Sequence, residues 1–430
     1  MIGILSTALL LPLLMGLCSM AMFISLIFLN RPSPLFVVLL PLSFCVLAVY
    51  AALRWLPVIG HPAARAQRER YILIIFIIAS AAALAIFVFI SWRQPNGDWD
   101  GWAIWNMRAR FIFRSGENWR DSFSPLIAWS HPDYPLLVPL SVVWLWTVIG
   151  RETTVAPMLI AAIFSVSTVA LLSASIARLR GPTQGLLAGI AILGAPFFIQ
   201  HGASQYADIP LGFFFLETIV LFALYEQSPG TSPWLLVMSG LTAGLSAWTK
   251  NEGLLFCLSV AVARLVAVIP RRGMRPALRE TALFIAGLII PLAMTFYLKI
   301  RLVPPGDLLS SQEPSMLMDH LMQPSRYALI MKTFLRTAIQ GTRGAAGLPV
   351  LLIYFLLLGR KDGKAEPRLG ARTASYSISL MLAGYFLVYL VDTYDLQWHL
   401  STSIDRLFIQ LWPTFLFWFF LEVRTHRTEL

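Results

Sequence analysis

Charge is scarce in this chain. Only 13% of its 430 residues are Asp, Glu, Lys or Arg, while 57% are hydrophobic. A soluble protein of this length covers its surface with roughly twice that share of charge, so a soluble globular class is excluded. Cysteine is nearly absent as well. Cys18, Cys45 and Cys257 each lie inside an apolar run, where cysteine behaves as a small hydrophobe, so neither a disulfide nor a metal cluster is expected. No glycine-rich phosphate loop, internal repeat or low-complexity tract occurs. The first apolar run, 4–29, lacks a basic leader and a small-residue cleavage site, and is expected to be a retained helix rather than a signal peptide.

What is present is apolar length. The mean hydropathy is +0.71, and uncharged runs long enough to cross about 30 Å of hydrocarbon recur along the chain. In lipid such runs must be helical, because each backbone N–H and C=O has to be satisfied within the segment. The expected class is an all-α polytopic membrane protein of about twelve transmembrane helices plus interfacial helices. Spans are expected near 4–29, 35–56, 71–91, 154–177, 183–201, 208–225, 230–249, 252–270, 279–300, 344–359, 373–391 and 405–422. The run 136–149, "LLVPLSVVWLWTVI", is too short for a comfortable crossing and reads as re-entrant or interfacial.

The positive-inside rule orients these spans. Arg65, Arg68 and Arg70, then Arg178 and Arg180, then Arg271, Arg272, Arg275 and Arg279, and finally Arg360, Lys361, Lys364 and Arg368 fall on one side if 136–149 does not cross. That side is expected to be cytoplasmic, with both termini on it. The whole formal excess of +11 then belongs to that face, where attraction to anionic lipid accounts for it and no nucleic acid partner is needed. The chain divides into a three-span N-terminal segment (1–91), a first outer loop (92–152), a central transmembrane core (153–300), a second outer loop (301–343) and a C-terminal transmembrane segment (344–430). Within the second loop, "YALIMKTFLRTAIQ" (327–340) reads as an interfacial helix, with Lys332 and Arg336 one turn apart.

Sidedness gathers the unusual polar residues onto the outer face. Ionisable groups at span ends usually mark a pathway or a site. "NGDWDGWAIW" (96–105) carries Asp98 and Asp100 after a span, with Trp99, Trp102 and Trp105 every three residues, roughly on one side of a helix. The aspartates read either as helix caps or as carboxylates in an aromatic-walled cavity able to act as a general base or metal ligand. "HPDYP" (131–135) supplies His131, and "QHGASQYADIP" (200–210) supplies Tyr206 and Asp208. Asp208 caps a span or orients other groups. "TKNEG" (249–253) places Lys250 and Glu252 at a span end, where the lysine either snorkels or meets a phosphate. "QWHLSTSIDR" (397–406) puts His399 and Arg406 seven residues apart, on one face if helical, with Arg406 an interfacial anchor or a phosphate fork. Glu217, in mid-span, is either bonded between helices or lines a cavity.

Taken in order, "DWDGWAIWNMRAR", "HPDYPLLVPL", "YADIPL" and "TKNEGL" resemble the motifs of the GT-C superfamily of membrane glycosyltransferases. The resemblance is to the bacterial branch that includes protein mannosyltransferase-like and aminoarabinose-transferase-like enzymes, and it covers residues 96–253. "WHLSTSIDRLFIQLWP" looks like a C-terminal motif of related bacterial members. Two departures stand out: the acidic motif follows the third expected span rather than the first, and the large C-terminal soluble domain of some relatives is absent.

The resemblance implies transfer of a sugar from a polyprenyl-phosphate donor to a lipid, glycan or protein acceptor, at the outer face of a bacterial plasma membrane. It implies Asp100 as the catalytic base, with Asp98 second. Lys250, Arg406 and further His399 or Arg108 are the candidate cations for the leaving phosphate, and Glu252, Asp208, His131, Tyr206 and Trp102 line the substrate site. A divalent metal at the Asp98/Asp100 pair is one option. The alternatives are a transporter or flippase of a lipid-linked sugar, which should show pseudo-symmetric halves and polar residues at the midplane, and a non-catalytic assembly partner in an envelope complex.

Overall fold

The computed structural model describes residues 2–33, 67–227, 232–305, 314–341, 348–359 and 369–424. Among them every regular element is helical. Among the described residues eight helices are long and apolar enough to cross a membrane. They are α1 (Ile2–Leu29), α2 (Gln67–Arg93), α5 (Val155–Arg180), α8 (Asp208–Tyr225), α10 (Glu252–Arg272), α11 (Met274–Arg301), α15 (Leu369–Val391) and α16 (Leu396–Glu422). Between them lie the shorter α3 (Met107–Ser115), α4 (Leu137–Ile149), α6 (Pro182–Leu193), α7 (Pro196–Ala203), α9 (Trp234–Thr249), α12 (Pro314–Leu321), α13 (Pro324–Gln340) and α14 (Leu348–Leu358). The chain is thus an integral, multi-pass helical membrane protein.

Several expected spans take a different form. The run 183–201 is two helices, α6 and α7, bent by 67°. The break has a local cause: Pro196 opens α7, and a residue before proline is pushed out of the helical region, as Ala195 is, with φ −101° and ψ 95°. The run 230–249 yields a 16-residue helix, α9, and 344–359 yields the 11-residue α14, both short for a crossing. The expected span 35–56 lies outside the described residues. The last span starts nine residues earlier than expected, because Asp395 caps α16 by accepting the Trp398 N–H at 2.8 Å. The "WHLSTSIDR" stretch is therefore helical throughout. The 136–149 run forms the 13-residue α4.

The bundle is built around α8. Every residue of that helix is buried, with α9, α16, α5, α15 and α7 packed about it. By contrast α2 buries only 11% of its most apolar window, as a lipid-facing helix should. A helix hydrophobic all round and enclosed by others is a core element, so whatever stands at its ends is set in the most constrained part of the molecule. Asp208 stands at one end.

Candidate active site

The acidic turn is held by close backbone contact. After α2, Gly97 adopts φ +81°, and Asp98 N–H donates to the Ser204 carbonyl at 3.2 Å. A Cβ on Gly97 or Gly101 would stand 2.6 or 2.5 Å from that carbonyl oxygen, closer than side-chain atoms approach, so only glycine lets the turn seat here. The contact is completed by Asn106 donating to Gln205 Oε1 at 2.6 Å and by the Asp100 N–H donating to the Tyr206 hydroxyl at 3.3 Å. Two loops distant in sequence thereby become one wall.

The three tryptophans do not share a face. Residues Gly101–Asn106 form a π-helical turn, wider than an α turn, and the i, i+3 alignment expected of an α-helix is lost. Trp99 and Trp102 are exposed and pack edge-to-face at 5.0 Å. Trp105 is buried and stacks on Tyr134 at 5.5 Å. The caps also separate: Asp98 Oδ1 accepts its neighbour's N–H, that of Trp99, at 2.8 Å, whereas the Asp100 side chain caps nothing.

Asp100 instead meets Arg406, with Oδ2 2.7 Å from the guanidinium. The same guanidinium donates two hydrogen bonds to Asp208 Oδ2, at 3.1 and 3.0 Å. Asp208 is fully buried; its other donors are Lys250 Nζ at 2.9 Å, Gln410 Nε2 at 2.6 Å and His201 Nε2 at 3.1 Å. Lys250 also pairs with Glu252 at 2.8 Å. Lys250 occupies the non-helical break between α9 and α10, so its side chain turns inward. Burial opposes its charge, but the carboxylates of Asp208 and Glu252 outweigh that and hold its pKa above the usual lysine value. The Tyr206 ring lies under Arg406, 5.0 Å from the cation. Burial, helped by the Asp100 charge, raises the Tyr206 hydroxyl to about 12, which leaves it a hydrogen-bonding group rather than a base.

The structure thus brings Asp100, Tyr206, Asp208, Lys250, Glu252 and Arg406 into one cluster. His201 and Gln410 join it without having been singled out from the sequence. Gln410 follows Arg406 by one turn inside an apolar run, and that position was the available signal. Asp98 stands apart, exposed. Among the described residues no group of three or more His, Cys, Asp or Glu is placed to hold a metal. Asp100 already faces a cation and Asp98 its own backbone, so the pair does not fit the metal site considered above.

The "HPDYP" loop flanks the cluster. Arg108 is buried and donates to the carbonyls of Pro132 at 3.0 Å and Ser130 at 3.1 Å and to Ser130 Oγ at 3.2 Å. Burial lowers its pKa to about 10, with Asp133 opposing. A guanidinium engaged this way is a clamp on the loop. His131 stacks on Tyr134 at 4.8 Å. Asn251 and Lys299 fasten the loop from the far side: Asn251 Nδ2 donates to Asp133 Oδ2 at 3.0 Å, and Lys299 Nζ donates to the Asp133 carbonyl at 2.8 Å and to Asn251 Oδ1 at 2.6 Å. Tyr134 is enclosed here, and burial together with the charges of Glu252, Asp133 and Asp100 raises its pKa well above the usual value.

His399 lies two turns along α16 from Arg406 and outside the Asp208 cluster, its Nδ1 bonded to Asp392. Trp102 is on the rim. Glu217 is buried in α8 with Oε2 lacking a hydrogen-bond partner. Towards the end of α10 opposite Glu252, Arg264 and Arg272 close a ring with Glu226 and Glu280. A cavity of about 400 Å³ lies elsewhere, between α1, α2, α5, α6 and α7, with an almost wholly apolar lining that includes Phe76, Phe87, Phe198 and Ile199.

A family model described as dolichyl-phosphate-mannose-protein mannosyltransferase matches residues 130–298. The matched stretch contains His131, Asp133, Asp208, Lys250 and Glu252, while Asp100 and Arg406 reach the cluster from either side of it. No curated protein and no solved structure matches the chain. The family is of the GT-C type, and with the multi-pass helical fold it supports a membrane glycosyltransferase.

Proposed function

We propose that the protein transfers a sugar from a polyprenyl-phosphate carrier to an acceptor hydroxyl at the extracytoplasmic face of the membrane, with inversion. One observation carries the reading: a single guanidinium, Arg406, is shared between a locked carboxylate and a freer one. Asp208 is fully buried and has four donor residues. Asp100 is 14% exposed and, among the described residues, has one side-chain partner, Arg406.

The donor phosphate binds at Arg406 and Lys250, as an oxyanion suited to a fork and a point charge. In doing so it takes Asp100's place on Arg406 and leaves that carboxylate free. Asp100 accepts the proton of the acceptor hydroxyl. The hydroxyl oxygen forms a bond to the anomeric carbon as the bond from that carbon to the phosphate oxygen breaks on the opposite face, and the electron pair leaves with the phosphate. Asp208 does not react; it fixes Arg406 and Lys250 in place before the substrate arrives. The apolar cavity beside α7 supplies a bed for the prenyl chain, since Phe198 and Ile199 line it while His201 of the same helix reaches Asp208.

The test is a comparison of lipid extracts from a deletion strain and its parent, complemented with wild type or Asp100→Asn. Accumulation of a polyprenyl-phosphate sugar in the deletion strain and in Asp100→Asn, but not with wild type, is expected. Full complementation by a normally inserted Asp100→Asn removes Asp100 as the base.

A further inference from the structure

The contact between α15 and α16 is a ladder of polar rungs in an otherwise apolar interface. Tyr385 donates to Gln410 Oε1 at 2.8 Å, Tyr389 and Ser403 bond at 2.7 Å, and Asp392 bonds His399. On α16 the rungs fall at 399, 403 and 410, with Arg406 between them, and on α15 and its end at 385, 389 and 392. Spacings of three, four and seven residues keep each set on one helix face. The inner rung, Gln410, donates to Asp208. The outer rung, His399, lies about 10 Å farther along the axis from Arg406, at 1.5 Å per residue.

That outer rung is built for a ligand. Asp392 is 1% exposed, and it is fixed from behind by Arg326, which donates to the carbonyls of Tyr389 and Asp392 at 3.0 and 3.1 Å. With Nδ1 bonded to the carboxylate, the ring orientation is set and Nε2 lies on the opposite side of the ring. The His399 ring has no other hydrogen-bond partner among the described residues. The second carboxylate oxygen, Asp392 Oδ1, is buried with no hydrogen-bond partner among the described residues. Flanking the imidazole are two exposed rings, Trp398 at 55% and Tyr394 at 41%, which lie 5.7 Å apart and 6.4 and 6.0 Å from His399.

We infer that His399, Trp398 and Tyr394 form the acceptor subsite and that the acceptor is a glycan. A hydroxyl can donate to or accept from Nε2, so it fits this edge of the ring. Flat exposed rings suit the apolar C–H face of a pyranose. A peptide or a plain lipid alcohol supplies the hydroxyl but no such face. The inference rests on the reading that the Asp208 cluster binds the donor, and it gives the ladder a use: it registers the acceptor platform against Arg406.

The test uses the full chain in lipid nanodiscs, saturation-transfer NMR, and three probe types kept separate: trisaccharides of mannose and of N-acetylglucosamine, a Ser/Thr peptide, and farnesyl phosphate. Saturation transfer to the ring C–H protons of at least one trisaccharide is expected. It should weaken about fivefold or more in Trp398→Ala and in His399→Phe. Both variants should keep farnesyl phosphate binding, which shows that they are folded. Three results overturn the inference: no transfer to either trisaccharide, transfer to the peptide alone, or transfer unchanged in both variants. Failure of farnesyl phosphate to bind wild type, or binding unaffected by Arg406→Gln, would instead count against the donor site and leave the sugar result to be judged by itself.

Discussion

Asp208→Asn separates a scaffold role from a reacting one. The Asp208 side chain is fully excluded from solvent, that of Lys250 is 5% exposed and that of Arg406 20%. Oδ1 accepts from Lys250 and Gln410, and Oδ2 accepts from His201 and twice from Arg406. An asparagine must place its NH2 on one of these sides, so in either orientation at least two donors face a donor. Buried Lys250 and half-buried Arg406 also lose the carboxylate between them. Removing one partner of a buried ion pair costs about 3–5 kcal/mol, and no large solvent discount applies to the Lys250 half. At roughly 2 °C per kcal/mol for a chain of this size, the apparent melting temperature should fall by about 6–10 °C.

Asp100→Asn is the control, because it loses a single, partly exposed ion pair worth about 1 kcal/mol or less, and should melt within about 2 °C of wild type while losing transfer. Melting in nanodiscs at a fixed scan rate gives both values, since unfolding here is expected to be irreversible. A melting temperature for Asp208→Asn equal to that of wild type, or an equal loss in the two variants, refutes the assignment of Asp208 as the scaffold. Adding Lys250→Met to Asp208→Asn should recover part of the lost stability by removing one stranded charge.

Other substitutions probe separate parts of the site. Gly101→Ala drives a Cβ to 2.5 Å from the Ser204 carbonyl; it should reduce sugar transfer by about tenfold or more through misplacement of Asp100, with normal membrane insertion by fractionation. Arg108→Lys keeps a charge but cannot reach three oxygens on one loop, so its melting temperature should fall with Arg108→Met rather than with wild type. Arg264→Met opens the ring with Glu226 and Glu280 and should cost about 3–5 kcal/mol in the same melting assay, while transfer per folded molecule stays unchanged.

The fold was legible where the physics is one-dimensional. A run such as 154–177 or 208–225 has to be helical in lipid, and α5 and α8 lie there. Bends and short helices were not legible from hydropathy: the 183–201 run averages high across a kink that Gly194 and Pro196 create. The site was legible at the motif level, because charged residues at span ends are rare enough to draw notice. Its wiring was not. Nothing in "GWAIWN" marks a π turn, so the tryptophans appeared aligned. Arg108 looked like any cation near the outer face, and only the fold shows three oxygens around it. Asn251, Lys299 and His201 were passed over because each bonds a residue more than five positions away, and pair contacts of that kind leave no periodic trace. Asp392 stands directly after the expected span 373–391, but its partnership with His399 depends on the junction between two helices.

Under the proposed function, the charge arrangement makes Asp100 and a donor phosphate competitors. Around Arg406 and Lys250, two permanent cations face three carboxylates, Asp100, Asp208 and Glu252. Another anion entering that arrangement unchanged would add to an existing excess of negative charge in a mostly buried pocket, where screening is weak. Asp208 cannot yield, being fully buried with four donor residues. Glu252 stays with Lys250 beside it in the chain. Glu252 is 21% exposed and Asp100 14%, but Glu252 accepts from Gln410 at 3.4 Å as well as pairing with Lys250. Among the described residues the Asp100 side chain has Arg406 as its one partner, so in the proposed cycle it is the carboxylate that gives way. Its release needs no conformational change beyond a side-chain rotation, because the turn beneath it remains pinned to Ser204 and Tyr206 through backbone groups. In the proposed cycle the base is free only while the leaving group is bound, which keeps it from acting on water when no donor is present. An Arg406→Lys variant tests this coupling: a point charge held by Asp208 cannot bridge to Asp100 as the guanidinium does. The base would then be exposed without the donor, and hydrolysis of the donor to free sugar should rise relative to transfer. An unchanged ratio of hydrolysis to transfer in that variant would show that Arg406 does not gate Asp100.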